Sequence, residues 1–416
     1  MKQLRNLVVR KNVEYFDKFV FWSCIIDILF LPYFNLVAIP YSMPLIIYWF
    51  FTRNKYFKND KEFKLFIILF GIMCMSTLVG FLLAPQYAYN SMTYLIIFTS
   101  LILYYFMFVN FVNKYSFNLK KLLIGFIVVV VIFAGFYYID KNLYQFFKTI
   151  WNFKSSIFVE NAYEGLVGYR FSFIWQDPNN IGYMMNAIVL YLWCNEKINS
   201  FTKVFTFFAL IFVLVASMSN GGFLALGISI VIYFLVSILQ VFGKKKFNIK
   251  IRINLMNMFL FIGSFLLIIY IIPKIPEFLQ TSTALESFER IENNSGESRF
   301  IIWSNIINNL DFIDYIVLFF VGSGGIALID GIKINPHNGH FYWILSYGFI
   351  SYLIFMYLVF RKRKITPLKK YIWIIPVFIG FTVNVMIGES KLTAIILLLV
   401  ACSSSELYLK NSEKNR

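Results

Sequence analysis

The sequence predicts an all-α polytopic membrane protein of about twelve transmembrane helices, with both termini cytoplasmic and two long structured outer loops. Three observations carry that prediction. First, 59% of the 416 residues are apolar and 14% charged, against about 25% charged in an ordinary soluble domain. About 245 apolar residues are more than a soluble core of this length can hide, and they suffice for about twelve spans of ~20 residues. Second, these residues come in long uniform runs. Third, the segments between runs alternate between basic and non-basic. A soluble enzyme, a disordered chain and a coiled coil are excluded. Aromatics reach 20%, with 50 Phe and 27 Tyr, as suits lipid-facing helices and interfacial belts.

In chain order the runs lie near 19–36, 37–52, 63–83, 92–112, 122–139, 179–195, 204–218, 221–242, 253–272, 340–360, 371–387 and 391–409. Runs this long and uniform suit helices, because a spanning barrel strand alternates in polarity. The first run follows a basic N-terminus (Lys2, Arg5, Arg10, Lys11) and has no small-residue cleavage site, so it is expected to remain as the first transmembrane helix. The second is short and carries Pro40 and Pro44, which predicts a kinked or partly re-entrant helix. Cys24, Cys74, Cys194 and Cys402 fall inside runs without a CxxC pair. They are expected to be buried apolar fillers.

With both ends inside, the cytoplasmic segments hold 29 of the 38 Lys and Arg. The outer segments hold nine: Lys141, Lys148, Lys154, Arg170, Lys274, Arg290, Arg299, Lys333 and Lys391. Thirteen acidic residues fall outside and seven inside, with Asp27 within the first helix. The inner face is then +22 and the outer face −4, so the net charge of +17 is an orientation signal. No nucleic-acid partner is expected from it. The spans hold little ionisable chemistry beyond Asp27, which disfavours an ion-coupled transporter.

Within this single integral membrane domain (1–416), two outer segments are too long to be simple connections: 140–178 and 273–339. In the first, Leu143, Phe146, Phe147, Ile150, Phe153 and Ile157 have the spacing of an interfacial helix over 141–158. In the second, Ile302, Trp303, Ile306 and Leu310 predict a helix within a cap over the outer end of the bundle.

Four clusters could carry chemistry, and all lie in or beside outer segments. Tyr169 and Arg170 precede Trp175, Gln176, Asp177, Pro178 and Asn179, where Asp-Pro-Asn is a helix-start signature. Arg170 would pair with Asp177 or hold an anionic lipid headgroup beside helix N-termini. Ser217, Ser219, Asn220, Gly221 and Gly222 form a tight turn that reads as a hairpin using glycine flexibility. Glu297 and Arg299 open an amphipathic stretch that includes Trp303. Finally Gly322, Ser323, Gly324 and Gly325 precede Asn335, Pro336, His337, Asn338, Gly339 and His340, which include both histidines of the chain. Without an accompanying cysteine, His337 and His340 are not expected to bind metal. Either an interfacial structural role or general-base chemistry fits a histidine there. No Walker, GxGxxG or GxSxG motif is present, so no nucleotide cofactor is expected.

Taken in order, these pieces resemble the O-antigen polymerase and O-antigen ligase superfamily of bacterial surface-glycan assembly. The matching elements are Arg170 followed after six residues by Asp177-Pro178-Asn179, the Ser-x-Ser turn at 217–219, and the Arg299–Trp303 pair. The Gly322–Gly325 turn and His337-Asn338, followed after nine residues by Gly348, complete them. The resemblance covers the C-terminal half; the first five spans match only as hydrophobic helices. Asn220 stands where the family turn usually has arginine, and Ser351 where ligases commonly show Gly, Thr or Tyr. Both departures weigh against the ligase branch.

The resemblance implies a polyprenyl-diphosphate-dependent glycosyltransferase in the bacterial inner membrane. It would polymerise undecaprenyl-diphosphate-linked repeat units into O-antigen, capsule or related polysaccharide on the outer face. Its partners would be lipid-linked glycan donor and acceptor, membrane lipid and a chain-length regulator. The leaving group is itself a lipid diphosphate, so no cofactor or metal is needed. Arg170 and Arg299 would stabilise charge growing on that diphosphate. His337 would deprotonate or orient the acceptor hydroxyl, or hold the diphosphate. Asn338 would fix the ring or contact sugar, and Asp177 and Asn179 would bind substrate. Tyr169, Trp175 and Trp303 would stack on sugars, though interfacial anchoring is the commoner role of such residues. A ligase moving finished glycan to an acceptor such as lipid A core is the first alternative. A flippase, which would more naturally show internal repeats and a charged cavity, is the second.

Overall fold

The computed structural model describes residues 2–31, 40–53, 61–115, 117–140, 143–144, 146, 171–175, 177–217, 219–242, 304, 306–308, 310–324, 328–329, 332–333, 338–360, 368–383 and 390–404. They form an all-helical membrane protein, with one pair of two-residue strands, Leu328–Ile329 and Ile332–Lys333, joined antiparallel. The helices are α1 (Lys2–Phe30), α2 (Met43–Arg53), α3 (Lys61–Leu83), α4 (Ala88–Lys114), α5 (Leu119–Ile139), α6 (Pro178–Asn195) and α7 (Ser200–Ser217). They continue as α8 (Asn220–Phe242), α9 (Phe312–Phe320), α10 (Gly339–Tyr347), α11 (Phe349–Phe360), α12 (Ile374–Val383) and α13 (Ser390–Ser404). Four stretches are long and apolar enough to cross a membrane: Phe63–Leu83, Pro85–Lys114, Leu119–Ile139 and Ser200–Ser217.

The centre is built by α4, α6 and α13, which are buried on nearly every face, as expected of helices that are apolar all round. α13 lies along α4, and α6 packs against α7, α8 and α12. The outer helices bury one face and leave large apolar side chains uncovered, among them Leu82, Ile132, Phe208 and Val231. Such a surface belongs against lipid.

Hydrogen bonds sort the helix ends into two groups. At one end, Asp17 of α1 meets Arg53 of α2 at 3.1 Å, the Trp49 indole at 3.0 Å and the Tyr115 hydroxyl at 3.2 Å. Burial pushes the Tyr115 hydroxyl up to about 12, so it remains a donor to the carboxylate. Lys120 reaches the Lys197 carbonyl, and Asn195 that of Lys370, at this same basic end. At the opposite end Phe171 bonds Ala216, Ser219 bonds Asn179, and Gly324 bonds Ser76. This is the grouping that an antiparallel succession of helices produces.

α2 has 11 residues, about 16 Å at 1.5 Å per residue, too short for a hydrocarbon layer of ~30 Å and in keeping with the kinked or partly re-entrant helix expected of the proline-bearing second run, whose residues 37–39 lie outside the described residues. The structure departs from the sequence expectations in two places. The run at 340–360 is not one helix: it breaks at Gly348, whose φ is +83°. A straight helix would hold His340 and Tyr352 about 18 Å apart, yet their side chains hydrogen-bond at 3.0 Å. Lys391, counted above among the outer cations, is fully buried beside Asp27. Lys391 therefore leaves that count, and among the described residues the buried charged side chains are Asp17, Asp27 and Lys391.

The Asp27 and Asp17 levels can be measured along three helices. Ten residues separate them on α1, eleven on α2 (Ser42 to Arg53) and eleven on α4 (Tyr104 to Tyr115), which all give about 15–17 Å. Asp27 and Lys391 therefore lie about 15–17 Å along the bundle from the Asp17 level.

Candidate functional site

The described motif residues gather at the end opposite the basic one. Asp177 caps α6, its Oδ1 accepting from the Asn179 backbone at 2.7 Å, with Pro178 in the first helical position where its missing N–H costs nothing. Asn179 Oδ1 in turn accepts from Ser219 Oγ at 3.2 Å. Two motifs forty residues apart are thus joined by side chains.

Ser219 Oγ also accepts from the Gly222 backbone at 3.0 Å. Gly221 and Gly222 lie inside α8, and close approach is what requires them. A Cβ on Gly222 would meet Leu214 at 2.6 Å and the Gly182 Cα at 3.2 Å, and one on Gly221 would strike the Tyr183 hydroxyl. The expected use of glycine flexibility in this turn is replaced by packing of α6 on α8.

The segment 171–175 before Asp177 is buried. Phe171 donates to Ala216 at the end of α7, and Ser172 donates to the Tyr144 hydroxyl at 3.0 Å. Burial pushes that hydroxyl up to about 12. Phe173 adopts φ +54°, a costly conformation for an aromatic residue, and packs against Phe126, Phe133 and Trp175. Trp175 is wholly buried. It has no face open to a sugar, which corrects the stacking role expected of it.

Asn338 caps α10. Its Oδ1 accepts from the backbones of His340 at 2.9 Å and Phe341 at 3.1 Å. From this cap α10 runs to the break at Gly348, so the two described residues of the His-Asn…Gly pattern mark the start and stop of one short helix. Gly348 packs on the turn after α9: a Cβ there would meet the Val321 nitrogen at 2.8 Å. The same turn is stapled to α3 and α10, with Gly324 donating to Ser346 O at 2.9 Å and Ser76 Oγ at 3.0 Å.

Asp177 and Asn338 thus cap their own helices, and Asn179 joins the α6 start to Ser219. α12 packs against both α6 and α10 and so lies between the two motif groups. Tyr169, Arg170, Arg299, Trp303 and His337 lie outside the described residues, as do most of 141–158 and 298–310. Among the described residues no cluster of three or more His, Cys, Asp or Glu side chains could hold a metal ion. His340 joins three helices: Nδ1 is 3.0 Å from the Tyr352 hydroxyl and Nε2 3.4 Å from Thr382 Oγ1.

The fold and site define an integral membrane protein of helical class whose polar, capped helix starts collect opposite its basic end. No protein-family model matches the chain, and no curated protein matches it in sequence.

Proposed function

We propose that this protein is a membrane glycosyltransferase that polymerises undecaprenyl-diphosphate-linked oligosaccharide units into surface polysaccharide. It works on the outer face of the bacterial cytoplasmic membrane, with twelve hydrophobic segments and both termini cytoplasmic. One observation supports this best: Asp177, Asn179 and Ser219 are joined by hydrogen bonds at helix ends opposite Lys120, Lys197 and Lys370, and α12 packs on both their helix α6 and the Asn338-capped α10. By the positive-inside rule that end faces outward, where a lipid-linked glycan is presented. In this reading Arg170 and Arg299 hold the departing diphosphate through forked, charge-assisted bonds. His337 acts on the acceptor hydroxyl or on the diphosphate.

The test is deletion and complementation with blotting of surface glycan. Loss of polymerase leaves one repeat unit on the acceptor. Loss of a ligase leaves all glycan on the lipid carrier, and loss of a flippase traps units on the inner face. Arg299→Ala and His337→Ala, at normal protein level, are expected to abolish long chains. Unchanged chains in both variants overturn the proposed site.

A further inference from the structure

α10 has nine residues and ends at a glycine break, so its own hydrogen bonding cannot hold it; isolated helices this short are unstable. Beyond the Asn338 cap, the His340 ring ties its first turn to neighbouring helices. Thr382 Oγ1 donates to the Phe378 carbonyl at 2.9 Å and lies 3.4 Å from His340 Nε2, while the Tyr352 hydroxyl lies 3.0 Å from Nδ1; in the tautomer protonated at Nε2, Nδ1 accepts from Tyr352. The ring is packed by Phe378, with centroids 5.0 Å apart, and by Phe381 at 6.0 Å. One side chain thus ties the start of α10 to α11 across the Gly348 bend and to α12.

We propose that His340 is a positioning residue of the transfer reaction, holding the Asn338-capped helix start in register through Tyr352 and Thr382; this rests on the function proposed above. The substituents that distinguish the two ring bonds are available. Asn places its Oδ1 where His has Nδ1 and keeps the bond from Tyr352, whereas Ala keeps neither bond.

The test uses the full-length protein in proteoliposomes, with lipid-linked repeat units extracted from a strain deleted for this chain as substrate. His340→Ala is expected to lower kcat roughly tenfold or more with KM within about twofold, since small misplacements of a site cost turnover before binding. His340→Asn is expected to recover kcat to within about threefold of the wild type, and Tyr352→Phe to reproduce part of the loss, non-additively with His340→Ala. Wild-type turnover in His340→Ala, or an Asn variant no better than Ala, overturns the proposal. If His340→Ala does not accumulate, Tyr352→Phe decides, because it removes only a hydroxyl; unchanged kcat then counts against the proposal. A deletion strain whose surface glycan keeps its full chain length overturns the functional reading and this inference together. A deletion strain left with one repeat unit on the acceptor, with a fully active His340→Ala, overturns this inference alone.

Discussion

The Lys391 ammonium lies 2.6 Å from Asp27 Oδ1, bridging 364 residues of sequence between the last described helix and the first. It also donates to the carbonyls of Asp27 and Leu31, each at 2.9 Å, near the end of α1, where helix carbonyls lack partners of their own. Asp27 Oδ2 accepts from Ser42 Oγ at 2.7 Å and from its backbone, at the start of α2. A carboxylate at a helix start and an ammonium at a helix end each sit where the helix dipole favours them. The pair makes it tolerable for ends of α1, α2 and α13 to meet inside the bundle.

Removing one partner leaves a buried charge without its counterion, which costs about 3–5 kcal/mol where such pairs have been broken. Lys391→Met and Asp27→Asn alone are each expected to destabilise the protein by that order. The double variant should recover much of the loss. Unfolding in mixed detergent micelles measures this, and single variants as stable as the wild type would show that the pair does not hold the helix ends.

Gly348→Ala is expected to cost about 1–3 kcal/mol, since φ is +83° and a Cβ would press on the Val321 nitrogen and the Phe320 carbonyl. The same unfolding measurement checks it, with Gly125→Ala as control, because nothing lies within 4 Å of a Cβ at Gly125. Equal stability of the two variants contradicts the assigned break.

Capping and substrate contact at Asn338 and Asp177 can be separated. Asn338→Ala and Asp177→Ala each remove a cap, which costs about 1 kcal/mol, while Asn338→Ser and Asp177→Ser keep a capping oxygen. If these side chains act only as caps, the Ser variants should retain both stability and glycan length. A Ser variant of wild-type stability that loses long chains assigns that residue to substrate.

Much of this was legible in the sequence, for reasons that also explain what was not. α5 and α7 follow their runs closely because uniform apolarity over about 20 residues reports residence in hydrocarbon. The caps at Asp177 and Asn338 are local chemistry, readable over three residues. Gly348 was visible only as a pattern marker, because the residues on both sides of the break are equally apolar. Lys391 was misplaced because hydropathy reports entry into the membrane and not depth within it. Its partner is at the far end of the chain, beyond any periodicity.

The orientation can be tested at two exposed positions whose neighbours fix their end of the bundle. Gln86 lies in the short turn between α3 and α4, an end held by Gly80 and Ser76 against the Ser323–Gly324 turn. Lys197 lies between α6 and α7, where its carbonyl accepts from Lys120. In a protein whose four cysteines are replaced, Gln86→Cys should react with a membrane-impermeant maleimide in intact cells, and Lys197→Cys only after permeabilisation. Lys391→Cys, at a position buried beside Asp27, should resist the reagent in both conditions. If Lys197→Cys reacts in intact cells and Gln86→Cys does not, the motif end faces the cytoplasm, and an outward-facing glycan transferase is ruled out.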